Sequence, residues 1–278
     1  MSDYEGLVSD PSVAEGAEEV AVACASDPVS AFDDLIREVQ DLAASASARS
    51  VAVAEIDDAC CSYGEGAGSG AIMRRDIGVE LGGSNGATCA MVLTTSDEDL
   101  VRDGRVSVIG PDFDEVEEGA VLPFAQMVLI GGSSLKGADV QVLEEIQKVR
   151  NWVRGYQVRT TTNEIAARVS KELKEAGFTL GHLGKALAAL ARSAHPEAAK
   201  VEVVFVTASN DEVKALRPLA NRWVDHSREI RRCAMAEIGI DIDCPSGGHC
   251  GKCKDKDTCD QVRRIQAMRR TAKRAEAV

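Results

Sequence analysis

From Ser30 the segment SAFDDLIREVQDLAASASA places Phe32, Leu35, Ile36, Val39 and Leu42 three and four residues apart, the spacing that lines one face of an α-helix. Ser30 stands where an N-cap belongs, and the helix it opens needs an apolar surface to lie on. Beyond residue 73 the period changes. DIGVEL, TCAMVLT, RVSVIG and PFAQMVLIGG are short apolar runs bounded by Gly, Asp and Pro, a pattern that predicts strands. DVQVLEEIQKVRNWVRG returns to the helical period and predicts a helix ending at Gly155. TLGHLGKALAALARSAH predicts a second helix, capped by Thr179, and KVEVVFVT is the strongest strand pattern in the chain. The long helical pattern SNDEVKALRPLANRWVDHSREIRRCAMAEI opens on a Ser209-to-Glu212 capping box and is broken by Pro218. Four or five strands among these helices predict an α+β (mixed α/β) fold, a sheet with packed helices.

The pattern divides the chain in three. Residues 1–72 form an acidic N-terminal arm with one amphipathic helix and a Gly-rich linker, DDACCSYGEGAGSG. Residues 73–236 hold the α+β domain, and residues 237–278 a Cys-rich loop followed by a basic C-terminal helix. The linker glycines are not a phosphate loop, because no predicted strand precedes them and no Lys-Ser/Thr follows. The adjacent thiols Cys60 and Cys61 read as reduced cysteines, with a metal or redox role as the alternative.

Composition narrows the function classes. Hydrophobic residues make up 45% of the 278 but aromatics only 4%, so the core is aliphatic and no aromatic platform for base stacking is implied. The net charge of −13 also argues against nucleic acid as a partner. Residues 1–60 carry 14 acidic and 2 basic side chains, whereas RRIQAMRRTAKR near the C-terminus carries 6 basic and none acidic. Such an asymmetry steers charged protein partners. The acidic N-terminus lacks the features of a secretory or transit signal. No apolar run reaches the roughly 18 residues of a membrane span. The expectation is a soluble, cytoplasmic protein.

Cysteine spacing supplies the candidate chemistry. CPSGGHCGKCKDKDTC places Cys244, Cys250, Cys253 and Cys259 as C-x5-C-x2-C-x5-C. In a reducing compartment clustered thiols point to metal before disulfides. Zinc sites commonly pair two C-x2–4-C hairpins, and only Cys250 and Cys253 form one here. The wider spread suits a [4Fe–4S] cube, with zinc as the alternative. Gly247, Gly248 and Gly251 let the loop wrap the cluster and offer N–H groups to its sulfurs, and Lys252, Lys254 and Lys256 offset its negative charge. Cys89 reads as a small core hydrophobe.

MRRDIGVELGG, followed by GRVSVIGPDFDEVEEGAVLPFAQMVLIGG, resembles acetyl-CoA synthase, the β subunit of the CO dehydrogenase/acetyl-CoA synthase complex, at its middle domain. The Ile109-Gly110-Pro111-Asp112 and Glu117-Glu118-Gly119 stretches carry the resemblance, which extends loosely over residues 73–230. It implies that Ile165–Val169 is a strand and Ser170 the cap of a short helix, where propensity alone reads one helix through NEIAARVSKELKEAG. It also implies that Arg168 matches a basic residue on the strand where coenzyme A is thought to pack, although Ala166 replaces the family's aromatic residue. The nickel-binding Cys-Gly-Cys has no counterpart in these residues. Nickel is therefore not expected, and neither is complete acetyl-CoA synthesis by this chain alone. The resemblance implies an iron–sulfur component of anaerobic one-carbon or CO-linked metabolism that transfers electrons or docks a partner: a redox protein, a CO dehydrogenase-like subunit or a corrinoid protein subunit. Alternatives are a catalytic subunit whose cluster binds substrate directly, completed by a partner subunit, and a zinc-stapled scaffold.

Overall fold

The computed structural model describes residues 29–236 except 46, 65, 69, 84, 85, 150, 151 and 161–164. Among them β1 (Ala48–Ala52), β4 (Arg105–Ile109), β9 (Lys200–Val206), β6 (Phe124–Gly131) and β3 (Thr88–Thr95) form one mixed sheet in that spatial order. The β4·β9 and β6·β3 pairs are parallel, and β1·β4 and β9·β6 antiparallel. A second sheet has the order β5 (Ala120–Leu122), β2 (Ile77–Leu81), β8 (Ile165–Ser170) and β7 (Tyr156–Thr160), with only β5·β2 parallel. The α+β expectation holds, with more strands than the apolar runs alone predict.

Both faces of the five-stranded sheet are covered, which is why β3, β6 and β9 read as continuous apolar runs instead of alternating ones. On one face Ala90, Val92, Val128, Ile130, Val203 and Phe205 meet the second sheet and helix α4 (Leu180–Ala194). On the other, Met91, Leu93, Met127, Leu129 and Val204 meet α1 (Asp33–Ala43) and α6 (Arg217–Ala236). The partner surface that the N-terminal amphipathic pattern calls for is this face. Phe32, Leu35, Ile36 and Val39 are buried against it, each side chain contributing roughly 1.5–3 kcal/mol.

Helix ends follow local chemistry, with two corrections. Thr179 caps α4 as expected: its Oγ1 accepts from the His182 N–H, and His182 Nδ1 accepts the Thr179 N–H at 3.1 Å. Ser209 caps α5 (Asn210–Ala215), and the pattern breaks at Leu216, one residue before α6, which carries Pro218 in its first turn. Ser30, however, is no N-cap. It lies in a 3-10 turn, Val29–Phe32, with its hydroxyl 2.7 Å from that of Ser96, and α1 starts at Asp33. The helix expected to end at Gly155 is also shorter. α2 (Gly137–Leu143) passes into a 3-10 segment, Glu144–Lys148, after which Val149 and Val153 enter the core without helical pairing. The β-branched and aromatic residues of this stretch hold a helix weakly. Gly155, at φ +86°, instead turns the chain into β7, where a Cβ would meet the Leu173 side chain at 2.8 Å.

The resemblance-based reading of 165–175 holds. β8 runs Ile165–Ser170, and the Ser170 hydroxyl accepts the Leu173 N–H at 3.2 Å to cap α3 (Lys171–Glu175). No described helix is long and apolar enough to cross a membrane.

Candidate functional site

Alternation along the second sheet sorts its side chains. Leu81, Ala167 and Val158 lie in cross-strand register and face inward, at most 4% exposed. One residue out of phase, Val121, Glu80, Arg168 and Gln157 form a row on the opposite face, which is open to solvent. The next row pairs Ala166 with Arg159. A shallow cavity of about 260 Å³ lies over these rows, lined by Glu80, Gly83, Gln157, Arg159, Ala166 and Arg168 among others. That is below the about 300–1,000 Å³ of sites that enclose a small molecule.

Arg168 is loosely held. Its Nε and Nη2 lie 3.4 and 3.3 Å from Glu80 Oε1, and Nη1 lies 3.4 Å from the Ile72 carbonyl. All three exceed the usual N–H···O range of about 2.7–3.2 Å, and 39% of the side chain is exposed. A guanidinium so placed can exchange a weak internal carboxylate for a bidentate external phosphate or carboxylate. Arg159 adds a second positive group two strand positions from Gln157. Sequence reading singled out Arg168 but not Glu80, Gln157 or Arg159; the period-2 alternation in YQVRT was the available signal.

The stretches that carried the resemblance hold structure together. Gly110, at φ +110°, brings its backbone so near Ala208 that a Cβ would lie 2.3 Å from the Ala208 nitrogen. The Pro111 carbonyl accepts from the Thr207 hydroxyl at 2.7 Å, and Asp112 Oδ1 accepts from the backbone N–H groups of Phe113 and Leu180. Burial pushes the Asp112 carboxyl above its ordinary pKa despite those two donors. Glu118 pairs with Lys171, and the Gly119 N–H donates to the Gly78 carbonyl.

Cys244, Cys250, Cys253 and Cys259 lie outside the described residues, so their metal-ligand reading stands on spacing and chemistry alone. Among the described residues no group of three or more His, Cys, Asp or Glu side chains is placed to hold a metal. Cys89 is a buried core thiol, as expected, and burial pushes its pKa up to about 12.

Residues 61–213 match the family described as the CO dehydrogenase/acetyl-CoA synthase complex beta subunit. The chain belongs to this beta-subunit family. It is 40% identical over 166 residues to the acetyl-CoA decarbonylase/synthase complex subunit beta of Methanothermobacter thermautotrophicus, an alignment covering 59% of this chain and 35% of that protein. The subunit of the same name from Methanopyrus kandleri is 39% identical over 142 residues, covering 50% and 29%. The carbon monoxide dehydrogenase/acetyl-CoA synthase subunit alpha of Moorella thermoacetica is 34% identical over 144 residues, covering 51% and 19%. The chain thus spans about a third or less of the length of these relatives. The part that matches the beta-subunit family contains the whole second sheet and its Arg168 face, while α1, β1 and α6 lie outside it.

Proposed function

We propose that this chain is an iron–sulfur protein of the beta-subunit family that transfers electrons or docks a partner in anaerobic one-carbon or CO-linked metabolism. Family membership supports the metabolic setting, and the C-x5-C-x2-C-x5-C run of Cys244, Cys250, Cys253 and Cys259 supports a [4Fe–4S] cluster. The partner is a protein such as a CO dehydrogenase-like or corrinoid subunit, or a redox protein. The open Arg168 face carries the docking half of this reading. Its arginines offer anion recognition, while Ala166 leaves no aromatic surface on which coenzyme A would stack. If coenzyme A is bound, Arg168 holds one of its phosphates.

Anaerobic purification with iron, sulfide, nickel and zinc analysis and EPR tests the cluster. About four irons and four sulfides per chain are expected, with no nickel, and Cys253→Ser should lose the reduced-state EPR signal. Colourless protein with one zinc would replace this reading by a zinc-stapled scaffold. Stoichiometric nickel, or a cluster iron that takes an external ligand, would favour direct substrate binding.

A further inference from the structure

Cys60 and Cys61 lie on a loop strapped to α4. Lys185 Nζ donates to the Ile56 carbonyl at 2.6 Å and pairs with Asp58 at 2.7 Å, and the Tyr63 hydroxyl donates to the His182 carbonyl at 3.3 Å. The two sulfurs are 3.5 Å apart and both thiols are half-buried. They border a cavity of about 480 Å³ whose wall includes Ile72, Arg154, Ser170 and Glu172, within the about 300–1,000 Å³ that admits small molecules. Among the described residues no third ligand completes a metal site with them, whereas a zinc ion asks for four. Two thiols in contact beside an accessible cavity are instead arranged for exchange with each other.

We propose that Cys60 and Cys61 form a reversible vicinal disulfide by exchange with a low-molecular-weight disulfide that enters this cavity. Burial and the neighbouring thiol push the Cys60 pKa up to about 12. One of the two, as its thiolate, attacks one sulfur of the reagent, forming a mixed disulfide and expelling the other half, which takes up a proton. The other then surrenders its proton to solvent and displaces the second half, which takes up a proton. Two protein thiols lose two electrons, one S–S bond forms, and the reagent's S–S bond becomes two thiols.

The product is strained. Adjacent Cα atoms are about 3.8 Å apart, below the about 4.4–6.8 Å common for disulfides, and strain makes the bond easily reduced. The pair is therefore a switch and not a staple.

The experiment uses the full chain, equilibrated anaerobically in mixtures of glutathione and its disulfide, then trapped with an alkylating reagent and digested with trypsin. Residues 50–74 fall in one peptide containing only these two cysteines. This peptide should lose both alkyl groups together, without adduct, at oxidising ratios and regain them at reducing ones. In Cys60→Ser a glutathione adduct should persist on Cys61. Alkylation of both thiols at every ratio, pairing of either with another cysteine, or absence of the Cys61 adduct in Cys60→Ser would overturn the proposal.

Discussion

Glu202 is fully buried in β9, and four donors hold its carboxylate: Gln40 Nε2 at 2.6 Å, the Arg102 backbone N–H at 2.9 Å, and Arg102 Nε and Nη2 at 3.0 and 2.7 Å. The group pins α1 and the turn before β4 to the central strand. Removing Arg102 leaves the charge buried and undercompensated, so Arg102→Ala should cost about 3 kcal/mol. Glu202→Gln, which keeps most of the shape and removes the charge, should cost less; urea denaturation of both variants checks the order. His182 gives a pH signature. Its Nε2 is buried without a hydrogen-bond partner among the described residues, and burial holds its pKa below the ordinary value. The unfolded chain therefore takes up a proton near pH 6.5 while the folded one does not. Stability should be full above about pH 6.5 and fall as pH drops through it toward the lowered native value. His182→Gln should flatten that slope between pH 7.5 and 5.5, read as the urea midpoint.

Elements differ in how much the sequence discloses of them. β3, β6 and β9 were legible because burial on both faces writes a continuous apolar run. β1, ARSVA, and β7, YQVRT, were missed because each sits at a sheet edge and turns polar side chains outward. β8 reads as helix by local propensity, and tertiary pairing with β2 and β7 overrides it; only the resemblance disclosed the strand. Arg168 was legible through the same resemblance, but its loose pairing with Glu80 depends on cross-strand register, which residue spacing along one strand does not carry. The cavity beside Cys60 and Cys61 was equally hidden, since its walls come from segments about a hundred residues apart in the chain. α6 closes one edge: Trp223, 2% exposed, donates its indole N–H to the Val92 carbonyl of edge strand β3 at 2.7 Å. Trp223→Phe should cost about 1–3 kcal/mol, for an edge carbonyl left unpaired, and Trp223→Ala about 3–5 kcal/mol. Gly110→Ala should destabilise more than Gly104→Ala. Both glycines have positive φ, but only at Gly110 does a Cβ strike backbone. Thermal unfolding of the pair separates strain from collision.

For the whole molecule, the docking role proposed for the outward face of the second sheet is testable apart from folding. The Arg168–Glu80 pair is partly exposed and long, and such pairs contribute about 0–1 kcal/mol. Arg168→Ala and Arg159→Ala should thus leave the unfolding midpoint nearly unchanged. Each should weaken capture of an acidic partner or of coenzyme A, with the difference from wild type shrinking as salt rises. A loss of stability equal to the loss of binding would assign this face to the fold instead.

The position of β9 bears on how the chain is made. The five-stranded sheet is ordered β1-β4-β9-β6-β3, so its middle strand is the last of the five to leave the ribosome. Between the end of β6 at Gly131 and that of β9 at Val206 roughly 75 residues must be added, about 4–15 s at ordinary rates of synthesis. During that interval β4 and β6 each offer the nascent chain's surroundings an unsatisfied apolar edge, the kind that seeds aggregation. Chains halted before Lys200 should therefore be found with chaperones or in the insoluble fraction, whereas release of the chain a few residues past Val206 lets the sheet close at its centre.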